Sequence, residues 1–365
     1  METDRYDPYW DNMQHEIKTK GFLLSEEGKL NLSQIGYAKT LIVDYNPEKI
    51  RVYPFKFLNR LRLKEWDYYG VTTKDFFFSA TVSNIGYLGL VFVYFIDFDS
   101  RKMIEKTVVT PFGMGCVLPK TSETGDIVFR KRGISIAFLR ENERRIIKID
   151  WKQFNKGADL FAELVLYQPV DMDSIALVTP IGKEKFFPFY NRFYYNQKTN
   201  CMPAEGQIAL GDKRYVLTKN DALATLDWGR GVWAYKTFWN WASASGFLKD
   251  GRTVGLNLGT GFGRQVSATE NCFFIDGKMT KLGYVYIDYD KSDYMMPWRF
   301  TSQDGRLKLS FDPFFERVAK INLGLLKSEA HQMFGTYYGR LFATNGERIE
   351  ISNLIGWAEE HRARW

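Results

Sequence analysis

Apolar and polar residues alternate along much of this chain with the period of two that is typical of β-strands. Every second residue is apolar in residues 133–138, and the same alternation recurs in residues 145–151 and 306–311. A longer apolar segment at residues 75–98 is interrupted by glycines and predicts a hairpin or a bent pair of strands. Turn residues rather than long helical segments separate the strands, so the pattern favours antiparallel β structure over a parallel α/β fold.

Asx-Gly dipeptides in the second half of the chain predict tight hairpin turns. The four dipeptides are Asp250-Gly251, Asp276-Gly277, Asp304-Gly305 and Asn345-Gly346. Such pairs suit the positive backbone angles of type I′ turns, and strand-like segments flank each of them. Successive hairpins predict an up-and-down meander, which often closes into a barrel that removes its edges. The predicted fold class is therefore mostly β, with two antiparallel β-barrel or half-barrel halves.

Two helices and one domain boundary are predicted in addition to the strands. Short helices are expected at residues 8–18 and at residues 353–365, the second being C-terminal. Three prolines between residues 168 and 190 favour a seam in that region. We therefore divide the chain into an N-terminal β domain at residues 1–190 and a C-terminal β-barrel domain at residues 191–365.

The composition agrees with a globular β protein that binds no nucleic acid. The 365 residues suit two domains or one large β domain, and aromatic residues, which favour strands, make up 16%. The formal net charge of +7 is spread along the chain. The densest basic clusters, residues 130–132 and 144–145, lie inside alternating segments, so a solvated strand face explains them better than a nucleic-acid interface.

Cysteines and histidines are too scattered to predict a metal site or a disulfide scaffold. The three cysteines have no CxxC motif, and His15, His331 and His361 show no metal-binding spacing. A serine hydrolase is also disfavoured, because GxSxG is absent and His331 has no obvious nucleophile in the sequence. We expect no cofactor and no metal. The polar N-terminus and the lack of a long apolar segment predict a cytoplasmic protein without an integral membrane segment, whose oligomeric state the sequence does not decide.

The segment 226–246, LDWGRGVWAYKTFWNWASASG, combines four tryptophans with charged and amide side chains. In an extended conformation Trp239 and Trp241 share one face, and Asn240 points to the other. Two such indoles can pack in a core or form the wall of a ligand cavity.

Charged residues near these indoles are the candidate acid and base. Asp227 and Arg230 lie among the tryptophans, where a charge is costly unless it is paired or functional. Glu270 could complete an acid/base couple with Asp227, and an exposed strand-end acid is the alternative interpretation. An ion pair between Arg230 and either carboxylate is the structural alternative. The candidate site comprises Asp227 and Glu270 as catalytic residues, with Trp228, Arg230, Trp239, Asn240, Trp241, Asn257 and Asn271 as ligand contacts.

Residues 259–264, GTGFGR, have the glycine content of a phosphate-binding loop. They lack the Lys-Ser/Thr pair of a P-loop, and the following residues are not a helix start of the dinucleotide-binding kind. A mobile loop at the mouth of a barrel is the favoured interpretation.

Several segments resemble the bacterial family called domain of unknown function 2804. The segments that carry the resemblance are RLKEWDYYGV (62–71), TPFG (110–113), FYYNQKTNCMPAEG (193–206), LDWGRGVW (226–233), FWNWASASG (238–246), VGLNLGTGFG (254–263), ENCFFIDGKMTKLG (270–283), SQDGRLKLSFDP (302–313), HQMFGTYYGR (331–340) and GWAEEHRARW (356–365). They occur in order and cover most of the chain. The family has no established activity, so the resemblance implies membership without a function.

A more distant resemblance implies a fold. The succession Asp-Trp-Gly, Trp-Asn-Trp and Asp-Gly is similar to a signature of the carotenoid hydratase and AttH-like proteins. Those proteins are double lipocalin-like barrels that handle hydrophobic ligands such as isoprenoids. The resemblance implies two calycin-like halves with the ligand near their junction. Those proteins usually place a histidine beside the acid that precedes the tryptophan, and Asp227 has none beside it, which argues against carotenoid hydration.

Three functions follow from these features. The first is binding of an apolar or amphipathic small molecule with cofactor-free hydration, isomerisation or cyclisation, in which Asp227 is the acid and aromatic rings stabilise developing positive charge. The second is carbohydrate binding or glycoside cleavage by stacked tryptophans and paired carboxylates. The third is a non-catalytic lipid carrier, which differs from the first only in lacking turnover.

Overall fold

The computed structural model describes residues 14–181, 192–265, 268–324 and 326–364. Within them strands dominate, and the one α-helix, α1, spans Lys56–Arg62. Short 3-10 turns at Leu32–Gln34 and Pro47–Lys49 precede it. None of the helices in these residues has the length and apolar character needed to cross a membrane. The prediction of a mostly antiparallel β protein is confirmed.

Twenty-four strands account for most of the described chain. Strands β1 to β15 are Gly21–Phe22, Gly36–Ala38, Val43–Asp44, Leu63–Thr72, Phe76–Asn84, Leu88–Asp97, Lys102–Pro111, Ile127–Lys131, Ile134–Glu141, Arg144–Asn155, Ala158–Tyr167, Ile175–Pro180, Phe193–Leu210, Lys213–Leu217 and Leu223–Val232. Strands β16 to β24 are Lys236–Phe247, Thr253–Thr260, Cys272–Ile275, Lys278–Lys281, Val285–Asp288, Trp298–Ser302, Leu307–Leu323, Leu326–Phe342 and Arg348–Arg364.

Strands β2 and β4 to β15 form the first sheet of the described chain. Its main path is β7-β6-β5-β4-β15-β13-β11-β10-β9-β8. The long strand β13 bends the sheet, because its first half pairs with β12 and β15 and its second half with β11 and β14. At the bend, Asn200 and Cys201 stand opposite Thr225 as a β-bulge. The Asn200 amide donates to Ser243 Oγ at 2.9 Å and to Ala244 O at 3.0 Å, which ties the bend to the second sheet.

Strands β16 to β24 form the second sheet, in the order β19-β18-β17-β16-β24-β23-β22-β21-β20. Each predicted Asx-Gly dipeptide lies between two consecutive strands of this sheet. Asp276 and Gly277 have φ angles of 47° and 72° and join β18 to β19 in a two-residue turn, as type I′ geometry requires. At the other three dipeptides only the glycine has a positive φ, because these loops are longer.

The predicted C-terminal helix at residues 353–365 is wrong, because β24 continues to Arg364. Ala, Glu and Arg residues that favour helices occupy this segment, but pairing with β16 on one side and β23 on the other holds it extended. The predicted helix at residues 8–18 lies partly outside the described residues. In its described part, Glu16 forms a β-bridge with Tyr37 and the backbone is not helical.

The chain passes from the first sheet to the second between Val232, where β15 ends, and Lys236, where β16 begins. Residues 193–232 therefore belong to the first sheet. The division into domains 1–190 and 191–365 stays a prediction about independently folding units, and residues 182–191 lie outside the described part of the chain.

An aromatic layer lies between the two sheets. Tyr68 and Phe77 of the first sheet meet Trp241 and Trp357 of the second. The ring centroids of Tyr68 and Trp241 are 5.9 Å apart, and those of Phe77 and Trp357 are 5.3 Å apart, both in edge-to-face geometry. Each half keeps its own apolar core behind this layer. The layer borders the cavity described next.

Candidate functional site

A cavity of about 670 Å³ lies between the two sheets. Trp66 and Tyr68 line it from the first sheet, and Trp239 and Trp241 line it from the second. Gly229 lets the Trp66 indole lie against β15, because a Cβ atom at position 229 would come within 1.9 Å of that ring. The cavity wall is therefore mainly aromatic and is completed only when both sheets are in place.

Lys198 on β13 and Asp227 on β15 stand directly opposite each other in the register of the two strands. Lys198 Nζ lies 2.9 Å from Asp227 Oδ2, and both side chains are buried. The same ammonium group lies 3.9 Å from the ring centroid of Trp241, as in a cation–π contact. Lys198 is thus held by a carboxylate of its own sheet and by an indole of the other sheet.

Glu270 brings a second carboxylate to this ammonium group. Its Oε2 lies 3.9 Å from Lys198 Nζ and accepts a 2.5 Å hydrogen bond from Asn196 Nδ2. Burial raises the pKa of Glu270; Lys198 opposes the rise, and the charge of Asp227 adds to it. The protonated form of Glu270 is therefore favoured in comparison with an exposed glutamate.

Gly259 makes room for the Glu270 carboxylate. A Cβ atom at position 259 would lie 2.1 Å from Glu270 Oε1, which is closer than non-bonded atoms approach. The segment VGLNLGTGFG therefore contributes a gap in the wall as well as a strand. Residues of the following loop, among them Phe262 and Gln265, also line the cavity, so the predicted loop lies at the site.

One carboxylate oxygen of the site has no hydrogen-bond partner among the described residues. This atom is Asp227 Oδ1, which is buried while Oδ2 faces Lys198. An unpaired buried carboxylate oxygen costs free energy, and native proteins usually satisfy such atoms. Close by, burial and then the charges of Glu270 and Asp227 raise the pKa of Tyr194 well above its usual value, so its hydroxyl remains a donor.

Trp228 and Arg230 lie on the opposite face of β15 from Asp227. Successive residues of a strand face opposite sides, and both sides of β15 are buried. Arg230 donates to Asp67 Oδ1 at 3.0 Å and lies 3.6 Å from Glu65 Oε1, so it forms a structural ion pair with these carboxylates and not with Asp227 or Glu270. Its guanidinium also covers the Trp228 ring at 4.3 Å. The structure places these two residues in the first half rather than at the cavity.

The amide residues of the candidate site mostly support other groups. Asn240 borders the cavity, but its amide donates to Tyr289 Oη at 3.1 Å. Asn257 accepts a 2.9 Å hydrogen bond from Trp241 Nε1 and donates to the backbone oxygen of Glu270. Asn271 accepts a hydrogen bond from Gly259 N at 2.7 Å. Asn257 and Asn271 thus hold the Trp241 indole and the backbone of Glu270 and Gly259 in position.

Several residues of the cavity were not predicted from the sequence. Lys198 is the most important, and its signal was a lone lysine within the otherwise uncharged segment FYYNQKTNC. Arg317 and Gln332 form a second polar region of the cavity wall. The Arg317 guanidinium makes two 2.9 Å contacts with Glu105, and Gln332 accepts a hydrogen bond from Tyr94 Oη at 3.1 Å. These residues come from four strands, so no local pattern joins them.

The described residues contain no group of three or more His, Cys, Asp and Glu side chains arranged to hold a metal ion. The three cysteines are buried and unpaired with one another. The absence of a cofactor stays a prediction from the sequence.

Comparison with known proteins identifies the family. The family model named Domain of unknown function (DUF2804) matches residues 14–365. The chain belongs to this family. No curated protein matches the chain. Among solved structures, the chain is similar to a protein described as an AttH from Nitrosomonas europaea. The two are 15% identical with a TM-score of 0.48, and the match covers 86% of this chain and 97% of the AttH chain. The chain is also similar to kievitone hydratase from Nectria haematococca, with 8% identity, a TM-score of 0.48, and coverage of 83% and 88%.

Proposed function

We propose that this protein binds an apolar or amphipathic small molecule in the cavity between the sheets and transfers protons to it through Glu270 and Asp227. The observation that carries the proposal is the Lys198 ammonium group, which contacts buried Asp227, largely buried Glu270 and an indole in the cavity wall. Removing such ions from water costs several kcal/mol per ion, about as much as good geometry returns. Burial also raises the pKa of Glu270, and perturbed pKa values of this kind are concentrated at functional sites.

The wall of the cavity indicates the class of ligand. Indole and phenol rings supply an apolar surface, and the volume of about 670 Å³ falls within the usual range for small-molecule sites. Charged side chains lie at several separate places in this wall, among them Lys198, Arg317 and Lys64. A long apolar molecule with a polar end suits this distribution, because the rings contact its chain while one charged place binds its end.

The two carboxyl groups suit different roles. Burial raises the pKa of Glu270, so this residue is the better proton donor, whereas the sequence alone suggested Asp227. Asp227 Oδ1, unpaired among the described residues, is placed to accept a proton. In hydration, Glu270 protonates one carbon of a double bond, water adds to the other carbon, and Asp227 takes the proton that water releases. Trp239 and Tyr68, whose rings line the cavity, stabilise the developing positive charge with their ring faces.

Carbohydrate cleavage is less well supported by the geometry. Lys198 Nζ contacts both Asp227 and Glu270, so the ammonium group occupies the space between them. A glycosidase places the sugar and, in inverting enzymes, a water molecule between its two carboxyl groups. We therefore favour the apolar ligand.

The test is isotope uptake in deuterated water with three probes, farnesol, oleic acid and retinal. Proton transfer to carbon deposits deuterium, and hydration adds one molecule of deuterated water to the product mass. We expect a labelled product from at least one probe, and E270Q should lower its rate by on the order of a hundredfold or more. Binding of all three probes without labelling would contradict the catalytic part and favour a carrier. The absence of binding would contradict the whole proposal.

A further inference from the structure

Ser328, His361 and Glu359 form a second group of reactive side chains on the wall of the cavity. His361 Nε2 lies 2.8 Å from Ser328 Oγ, which is a hydrogen-bond distance. His361 Nδ1 lies 3.5 Å from Glu359 Oε1. A hydroxyl, an imidazole and a carboxylate thus follow one another, in the arrangement that activates a serine as a nucleophile.

The register of two strands brings these residues together. Glu359 and His361 are two positions apart on β24, so their side chains share one face. Ala330 on β23 is the direct partner of His361, which makes Ser328 its diagonal neighbour on the same face. Both strands are paired on both sides, β23 with β22 and β24, and β24 with β16 and β23. The backbone that carries the three side chains is therefore fixed by hydrogen bonds.

The imidazole of His361 is oriented from two directions. Glu359 is buried, and its Oε1 accepts a 3.1 Å hydrogen bond from Trp239 Nε1. The ring centroids of His361 and Trp239 are 4.0 Å apart, which restricts rotation of the imidazole. With its proton on Nδ1, beside the carboxylate, His361 presents Nε2 as the acceptor for the hydroxyl proton of Ser328.

Gln332 offers a donor on the same strand face as Ser328. Its Oε1 accepts a hydrogen bond from Tyr94 Oη at 3.1 Å and lies 3.5 Å from Arg317 Nη1. Because an arginine nitrogen can only donate, the oxygen of the Gln332 amide, and not its nitrogen, points toward Tyr94 and Arg317. Gln332 lines the cavity together with Ser328, and its amide nitrogen carries two donor hydrogens. It is a candidate to stabilise a negative oxygen near the serine.

We propose that Ser328 is the nucleophile of an acyl-transfer site that hydrolyses carboxylic esters with apolar acyl chains, with His361 as general base and Glu359 as a positioning residue. Ser328 Oγ bonds to the acyl carbon and His361 takes the hydroxyl proton. The ester C–O bond then breaks, and His361 gives the proton to the departing alcohol. Water releases the acyl group from Ser328 as a carboxylic acid, and the serine regains a proton through His361.

This inference goes beyond the proposed function, because it uses neither Asp227, Glu270 nor Lys198. Sequence patterns did not indicate it, since GxSxG is absent and His361 has no nucleophile near it in the chain. Ser328 lies 33 residues away and meets His361 only through strand pairing.

The test uses diisopropyl fluorophosphate, which phosphorylates activated serines with loss of fluoride, followed by peptide mass mapping of the full chain. We expect the label on Ser328. Ser83 lines the same cavity without a histidine partner among the described residues and should remain unlabelled, which controls for access. H361Q should slow labelling by on the order of a hundredfold, with circular dichroism and thermal melting used to verify folding. Hydrolysis of p-nitrophenyl butyrate should fall in parallel in S328A.

The positioning role of Glu359 is tested by a measurement that a purely structural role would not change. E359Q should displace the pH at which labelling is half-maximal, and E359D should restore the wild-type profile. Equal labelling of Ser83 and Ser328, or an unchanged labelling rate in folded H361Q, would overturn the proposal. Isotope uptake by the probes named above would be unaffected by either result, so the two proposals fail separately.

Discussion

Lys198 and Asp227 are cross-strand partners on β13 and β15 whose charged groups meet at 2.9 Å in the cavity wall. Both residues belong to the first sheet, so this ion pair needs no contact with the second. Glu270, which precedes β18, and Trp241, on β16, reach the same ammonium group from the other half. The site is therefore assembled where the two halves pack together.

The ion pair gives a stability prediction. D227N leaves the buried Lys198 with Glu270 at 3.9 Å as its nearest carboxylate, so we expect the free energy of unfolding to fall by about 3 kcal/mol. K198M/D227N removes both charges and should recover most of this loss, because an apolar replacement of a buried pair is often neutral. Urea denaturation of the wild type and the three variants, including K198M alone, measures the coupling. Additive losses would contradict a direct pairing.

The buried acid gives a pH prediction. Because burial raises the pKa of Glu270, the folded protein holds this proton more tightly than the unfolded chain. The resulting stability is present below the ordinary carboxyl pKa and is lost as the pH rises through the raised value. Relative to E270Q, the wild type should become less stable from about pH 4 upward, by at most about 1.4 kcal/mol per pH unit. The control variant E141Q, at an exposed position, should show no such trend. A difference in unfolding free energy between the wild type and E270Q that does not change with pH would contradict this account.

Lys64 predicts the opposite trend. It is buried against the cavity, where its ammonium group donates to the backbone oxygens of Leu61 and Ile85, and burial lowers its pKa to about 7. Between that value and its ordinary pKa of about 10.4 the unfolded chain binds more protons, so stability should rise with pH. K64M should remove this rise, whereas the exposed control K102M should keep it. The check is the urea denaturation midpoint of the wild type, K64M and K102M measured across this pH range. A rise of the same size in K64M and in the wild type would contradict the prediction.

Alternation along the chain is sufficient to predict the β class and the shared face of Trp239 and Trp241. Alternation places Asp227 and Arg230 on opposite faces of β15, but it could not indicate which face borders the cavity, because both faces of this strand are buried. Lys198 was missed for a different reason, since its partner is set by the register of β13 against β15, and the sequence does not encode that pairing locally. The C-terminal segment shows the same limit, because pairing with two strands overrides its helix propensity.

The most direct test of the account is titration with N-phenyl-1-naphthylamine, an uncharged apolar probe whose emission rises in apolar sites. We expect saturable binding to the wild type and an increase in Kd on the order of tenfold in W241A, because the indole forms part of the cavity wall. F112S is the matched control, since Phe112 is exposed on the surface and does not line this cavity. Loss of binding in F112S with unchanged binding in folded W241A would show that the probe adsorbs elsewhere and would contradict a ligand site between the sheets.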